Sequence, residues 1–121
     1  HLLREPDMST TIKIAERYFE LSNLSDMDSI ESMLTDSSTY SSVNTGVYLG
    51  RSQIMTMMRS FHSVFESLTW TIDSIIEIRP GVAHIEFSLI SLSKHGDLKA
   101  STGNEYVLSF DGMLQHIEVR N

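Results

Sequence analysis

The 121-residue chain contains no cysteine, which excludes a disulfide scaffold, a thiolate nucleophile and any cysteine-based zinc site, and fits a reducing cytoplasm. No apolar run approaches the roughly 20 residues of a membrane-spanning helix, so no membrane association is expected. Basic residues are scarce, nine against sixteen acidic ones, and scattered from Arg4 to Arg120, so nucleic acid, which needs clustered positive charge, is not an expected partner. There is no internal repeat, no basic-then-apolar targeting signal, no glycine-rich phosphate loop, no nucleophile elbow and no His-Glu-x-x-His. "HLLREPD" before Met8 reads as vector residue or a frayed tail, with Met8 as the native start. Residues 1–8 are therefore expected to be a tag or disordered tail and residues 9–121 a single domain.

Two periodicities organise the rest. From Ser9 to Ser22 the apolar residues Ile12, Ala15 and Phe19 recur at helical spacing, with Ile14, Tyr18 and Leu21 one face over. Ser25 is read as the N-cap of a second, short helix whose buried stripe is Ile30, Met33 and Leu34. Ile54, Met57, Met58, Phe61, Phe65 and Leu68 predict a third helix from about Ser52 to Glu66, entered at Gly50. The period then changes to two. Strands are expected from Leu68, over "VAHIEFSLISLS", from Glu105 to Phe110 and from Leu114 to Arg120, with turns at Arg79-Pro80-Gly81, "KHGD" and Asp111-Gly112. Helices first and strands afterwards predict an α+β fold with helices on one face of a curved antiparallel sheet.

Between the second and third helices lies "TDSSTYSSVNTG", eight hydroxyl side chains in twelve residues and no charge after Asp36. Its composition suits a loop.

This order, with "IAERYFELSNLSDMDSIESML", "YLGRSQIMTMM" and "YVLSFDGMLQHIEV", resembles the nuclear transport factor 2-like superfamily, and within it the SnoaL-like and ketosteroid isomerase-like group. The resemblance covers roughly Thr10 to Arg120 and implies a cystatin-like cone of sheet and three N-terminal helices whose open end holds an apolar pocket. It says nothing of chemistry, because the fold hosts enzymes, binders and interaction modules. Placed between the second and third helices of the cone that the resemblance implies, Thr39 to Val43 becomes a short strand with Tyr40 and Ser42 facing inward, and Asn44 to Gly46 remains turn. The isomerase solution needs a carboxylate base and an oxyanion hole of a tyrosine and a neutral carboxylic acid. The resemblance lays Tyr18 on that tyrosine and Ser42, or Ser41 with a one-residue shift, on the base. Tyr106 falls on the neutral acid, or Glu105 if the register slips by one. A serine hydroxyl without an adjacent base does not abstract a carbon acid's proton, so the family's isomerisation is not expected. Polyketide cyclases of the group carry an acidic residue on the last strand, where this chain has Glu118; alternation instead turns Ile117 and Val119 inward and His116 and Glu118 out.

The expected pocket wall is Tyr18, Tyr40, Ser42, Met58, Phe61, Trp70, Phe87 and Tyr106, suited to a small apolar or polyketide-like ligand with a few hydroxyl contacts. His62 is read as solvated. The alternative is an isomerase, cyclase or hydrolase-type enzyme whose catalytic candidates are Tyr18, Asp73, Glu105 and Glu118. His84, Glu86, His116 and Glu118 read as polar strand faces, so no metal and no cofactor is expected. Those same faces lead to the expectation of a homodimer through the sheet's outer surface.

Overall fold

The computed structural model describes residues 9–121; the expectations for residues 1–8 lie outside the described residues. Helix α1 spans Thr10–Asn23 and is capped by Ser9, whose side chain accepts from the Ile12 N–H at 3.0 Å. It buries Ala15 and Phe19 of the expected stripe and Tyr18 and Leu21 of the face beside it, while Ile12 is half-buried. Helix α2, Met27–Glu31, starts differently from expectation. Its cap is Asp26, which accepts from the Ser29 N–H at 3.1 Å and from the Ser29 hydroxyl at 2.8 Å. Ser25 instead takes the left-handed conformation, φ 52°, that turns the chain out of α1. A carboxylate accepting two hydrogen bonds at a helix start is the better cap of the two.

Helix α2 ends before Met33 and Leu34. Leu34 opens strand β1, Leu34–Ser42, so the hydroxyl-rich stretch is strand over most of its length, and β2, Gly46–Leu49, folds back on it as a hairpin that the sequence reading did not include. Gly50, φ 90°, leads into α3, Arg51–Ser63; a β-carbon there would lie 3.2 Å from the Asp36 carbonyl oxygen. The helix stops short of the expected Glu66 because Phe65 already pairs with Ser93, opening β3, Phe65–Arg79. Strand β4 is Val82–Ser93, β5 is Leu98–Phe110 and β6 is Met113–Arg120. The early half of β5, "LKASTGN", lacks alternation and is strand because it pairs along β4 from Leu98↔Leu92 to Asn104↔Glu86.

The sheet order is β2-β1-β6-β5-β4-β3, antiparallel except where β1 lies parallel to β6. The three helices pack on one face of this curved, open sheet. Ala15, Ile30, Leu34, Ile54, Ile85, Val107, Leu114 and Ile117 are sealed between them, and their burial is the main drive to fold. Among the described residues no helix is long and apolar enough to cross a membrane.

The hydroxyls of β1 mostly serve the sheet. Ser38 is fully buried; its Oγ donates to the Leu114 carbonyl at 2.7 Å and accepts from the Thr35 N–H at 2.8 Å, bridging the register shift between Leu34 and Thr39. Thr39 Oγ1 meets His116 Nδ1 at 2.7 Å. Replacing Ser38 by alanine removes the partner of the buried Leu114 carbonyl and of the part-buried Thr35 N–H, so Ser38→Ala is expected to lower unfolding free energy by about 1–3 kcal/mol in a denaturant melt, whereas Ser37→Ala at the exposed neighbour stays within about 0.5 kcal/mol.

Candidate functional site

The open end of the curved sheet holds a cavity of about 140 Å³. The helix side supplies Tyr18, Phe19 and Ser22 from α1 and Met57, Met58, Phe61 and His62 from α3. The sheet side supplies Tyr40, Ser42, Trp70, Phe87, Leu89, Glu105 and Val119, with Asn44, Thr45, Ser101, Thr102 and Asn121 also on the lining. The cavity is thus largely apolar with a few polar groups, the usual make-up of a small-molecule site.

Seven of the eight residues expected on the wall are there: Tyr18, Tyr40, Ser42, Met58, Phe61, Trp70 and Phe87. Tyr106 is not, and that expectation is corrected. Val107 is fully buried between Ala83 and Ile117, which fixes the parity of β5. Residues 103, 105 and 107 therefore face the helices, and residue 106 faces away. Tyr106 stacks on His84 across the outer face, ring centroids 4.8 Å apart. Glu105 takes the inward place, between Ile85 and Val119. The alternation of Gly103, Glu105 and Val107 was the available signal; counting back from Phe110 hid it.

The other carboxylate candidates lie outside the cavity. Asp73 sits at the β-bulge between Ile72 and Ser74, exposed, accepting from the Ser88 hydroxyl at 2.6 Å. Glu118 stays on the outer face, as alternation implied, held by His116 at 3.1 Å and Arg120 at 2.8 Å, and these partners keep its carboxyl below the usual range. Ser42 brings a hydroxyl to the lining. Its Oγ accepts from the Asn44 N–H at 3.1 Å and shapes the turn after β1. His62 departs from its solvated reading: it follows Met58 by one helical turn and so shares the face that borders the cavity.

Glu105 is the electrostatic centre of the site. It is 4% exposed, and its Oε2 is the one buried side-chain polar atom among the described residues with no hydrogen-bond partner. Burial pushes its carboxyl up to about 8, so it holds its proton at neutral pH. Burial also raises Tyr18 well above the phenol range, with further contributions from the Glu105 and Tyr40 charges. Tyr40 moves the same way, through burial first and then through Glu105 and Tyr48. All three groups are therefore neutral O–H donors near pH 7. Two residues before Glu105 on the same strand and face, Gly103 leaves room for the Phe87 ring, since a β-carbon there would fall 2.8 Å from Phe87 Cζ and 3.0 Å from the Arg120 carbonyl oxygen.

Comparison with known proteins places this geometry. A family model described as the SnoaL-like domain matches residues 15–120. The chain belongs to the SnoaL-like family. The solved structure of an NTF2-like protein of unknown function from Exiguobacterium shares 16% identity with this SnoaL-like chain at a TM-score of 0.78, over 88% of this chain and 96% of that one. A protein from Jannaschia named for its likeness to SnoaL-like polyketide cyclases gives 11% identity and a TM-score of 0.82 over 98% and 90% of the two chains. An LEH-like epoxide hydrolase of M. tuberculosis gives 15% and 0.81 over 94% and 84%. These likenesses concern the fold. No curated protein matches the chain.

Two outcomes follow from the site's packing and charge. Because the folded protein raises Glu105 above its unfolded value, the folded state binds the extra proton between about pH 4.5 and 8. Glu105's contribution to stability is therefore full below pH 4.5 and declines as pH rises towards 8, at a slope approaching about 1.4 kcal/mol per pH unit. Glu105→Gln is expected to remove that decline in urea melts recorded from pH 5 to 8.5, and to leave the variant the more stable protein at the alkaline end. Gly103→Ala forces Phe87 and the β6 backbone to give way, and is expected to cost about 1–3 kcal/mol and to shift the Phe87 ring signals in aromatic NMR spectra.

Proposed function

We propose that this SnoaL-like protein binds a small, mostly apolar molecule and holds one oxygen of it against Glu105. The observation that carries the reading is Glu105 itself, a residue of the cavity lining whose buried Oε2 has no hydrogen-bond partner among the described residues. A buried carboxyl without a partner is costly, and a ligand oxygen supplies the missing hydrogen bond. Since Glu105 keeps its proton at pH 7, it acts as donor, and the ligand atom it meets is an acceptor such as a carbonyl oxygen. Tyr18 and Tyr40 border the same space and stabilise charge developing on that oxygen. Phe19, Met58, Phe61, Phe87 and Trp70 enclose the ligand's apolar body.

A second reading is catalytic, and the raised pKa of Glu105 favours it. A carboxyl that titrates near 8 delivers and recovers a proton at close to neutral pH, as a general acid–base group of an isomerase, cyclase or hydrolase requires. Glu105 alone fills that role, because Asp73 and Glu118 face away from the cavity. For the partner, the reading is a homodimer through the sheet's outer face, supported by the exposed Ile76, which pairs with His84 beside the His84–Tyr106 stack, and by the exposed Ile90 further along β4 on the same face; sedimentation velocity at high concentration is expected to show the dimer, and a monomer contradicts it. The lack of cysteine supports a cytoplasmic setting.

The binding claim is checked by thermal shift and NMR with one-ring compounds of matched shape. Acetophenone is expected to stabilise the wild type more than ethylbenzene, and Glu105→Leu to abolish the difference. Equal responses to both compounds, or a difference that survives in Glu105→Leu, contradict the reading.

A further inference from the structure

The binding reading uses Glu105 and the tyrosines but leaves one ionisable side chain of the wall unused. His62 occupies the last turn of α3, on the helix side of the cavity, whereas Glu105 stands on the sheet side. Its imidazole is fixed by two neighbouring elements. Nδ1 shares a hydrogen with Ser25 Oγ at 2.9 Å, and the ring lies tilted over the Trp70 indole with centroids 5.6 Å apart. Each of those supports is itself held. Ser25 sits in its left-handed turn with its N–H donating to the Ser22 carbonyl at 3.0 Å. Trp70 is clasped by the Asn23 side chain, which accepts from the Trp70 N–H at 2.7 Å and donates to its carbonyl at 2.9 Å. With Nδ1 engaged, Nε2 is the ring atom left for a ligand.

The surroundings fix what Nε2 can do. Burial alone moves His62 below its usual value, and among the described residues no carboxylate pairs with it, so the ring is neutral at pH 7 and its free nitrogen exchanges one hydrogen bond with a hydroxyl. The nearest cation on its helix, Arg59, is already bound to Asp28 and Glu31 at 2.9 Å each. Size sets the second limit. A cavity of about 150 Å³ takes a benzene-sized molecule, and this one measures about 140 Å³, so a body of one ring fills it and reaches both walls.

We propose that His62 is the second polar contact of the cavity, and that the ligand is a single-ring molecule oxygenated at two ends, with an acceptor oxygen at Glu105 and a hydroxyl at His62 Nε2. The proposal rests on the reading that Glu105 holds a ligand oxygen. Ser25 is a positioning residue in it: by engaging Nδ1 it holds the ring and leaves Nε2 to the ligand.

The test compares 4-hydroxyacetophenone with 4-methylacetophenone, close in shape and different in the one hydroxyl, by NMR titration below the pKa of the phenol. Wild-type protein is expected to bind the hydroxy compound about five- to tenfold more tightly, the worth of one hydrogen bond. His62→Leu is expected to bring the ratio to about one with the methyl compound's affinity kept, and His62→Gln to retain part of the preference. Ser25→Ala is expected to reduce the ratio and to shift the His62 tautomer population in ¹⁵N spectra, which a merely structural role would leave unchanged. Folding of each variant is read from its amide spectrum, and a His62→Leu protein that does not fold leaves the decision to His62→Gln and Ser25→Ala. If both compounds bind and the ratio is the same in wild type and His62 variants, the role of His62 is wrong while that of Glu105 stands. If neither compound binds, or Glu105→Leu binds both as the wild type does, the reading of Glu105 fails and this proposal with it.

Discussion

A carboxyl buried without a partner opposes folding, and in this protein the sheet holds one in place. Val107 is sealed between Ala83 and Ile117, so the two-residue period of β5 leaves Glu105 no outward option. A one-residue slip would expose Val107 and bury Tyr106 in its stead, at a cost in apolar burial of roughly 1.5–3 kcal/mol for the valine alone. The proton on Glu105 is the cheaper accommodation, since a neutral carboxyl loses far less on burial than a charged one. The raised pKa, the neutral tyrosines beside it and the apolar walls all follow from that one constraint of register.

The remaining architecture keeps the cavity open around this group. Gly103, next inward on the same strand, leaves space for the Phe87 ring, and Asn23 fastens Trp70 on the edge strand β3 through both of its backbone polar groups. The hydroxyl-rich β1 contributes less to the cavity than its composition suggests. Ser38 and Thr39 spend their hydroxyls on Leu114 and His116 of β6, anchoring the sheet's parallel pair, and Tyr40 and Ser42 alone among the residues of β1 reach the lining.

Much of the fold was legible where one periodicity ran long. The Ala15–Phe19 stripe and the alternation of Ala83, Ile85 and Phe87 gave α1 and β4 directly, and the order of helices and strands gave the architecture and family. The misreadings have physical causes. Phe65 and Leu68 continue the helical spacing of α3, but pairing with β4 claims them for β3; Leu98 to Asn104 carry no alternation and are strand only because β4 templates them. Ser25 and Asp26 compete for one cap, and the carboxylate wins. At the site, the apolar wall was readable because large hydrophobic residues at regular spacing seldom face water. The polar groups were readable in part: Tyr18, Tyr40 and Ser42 reach the lining as expected, Glu105 stood only as the alternative to its neighbour Tyr106, and His62 is set by a loop contact to Ser25 that no local pattern announces.

The central claim is that Glu105 sits protonated in the cavity at neutral pH, and the direct measurement is its own titration, followed through the side-chain carboxyl ¹³C signal of the folded, ligand-free protein. A midpoint near 8, well separated from those of the exposed glutamates, is the predicted result; a midpoint in the ordinary carboxylate range, about 4 to 5, would contradict the account.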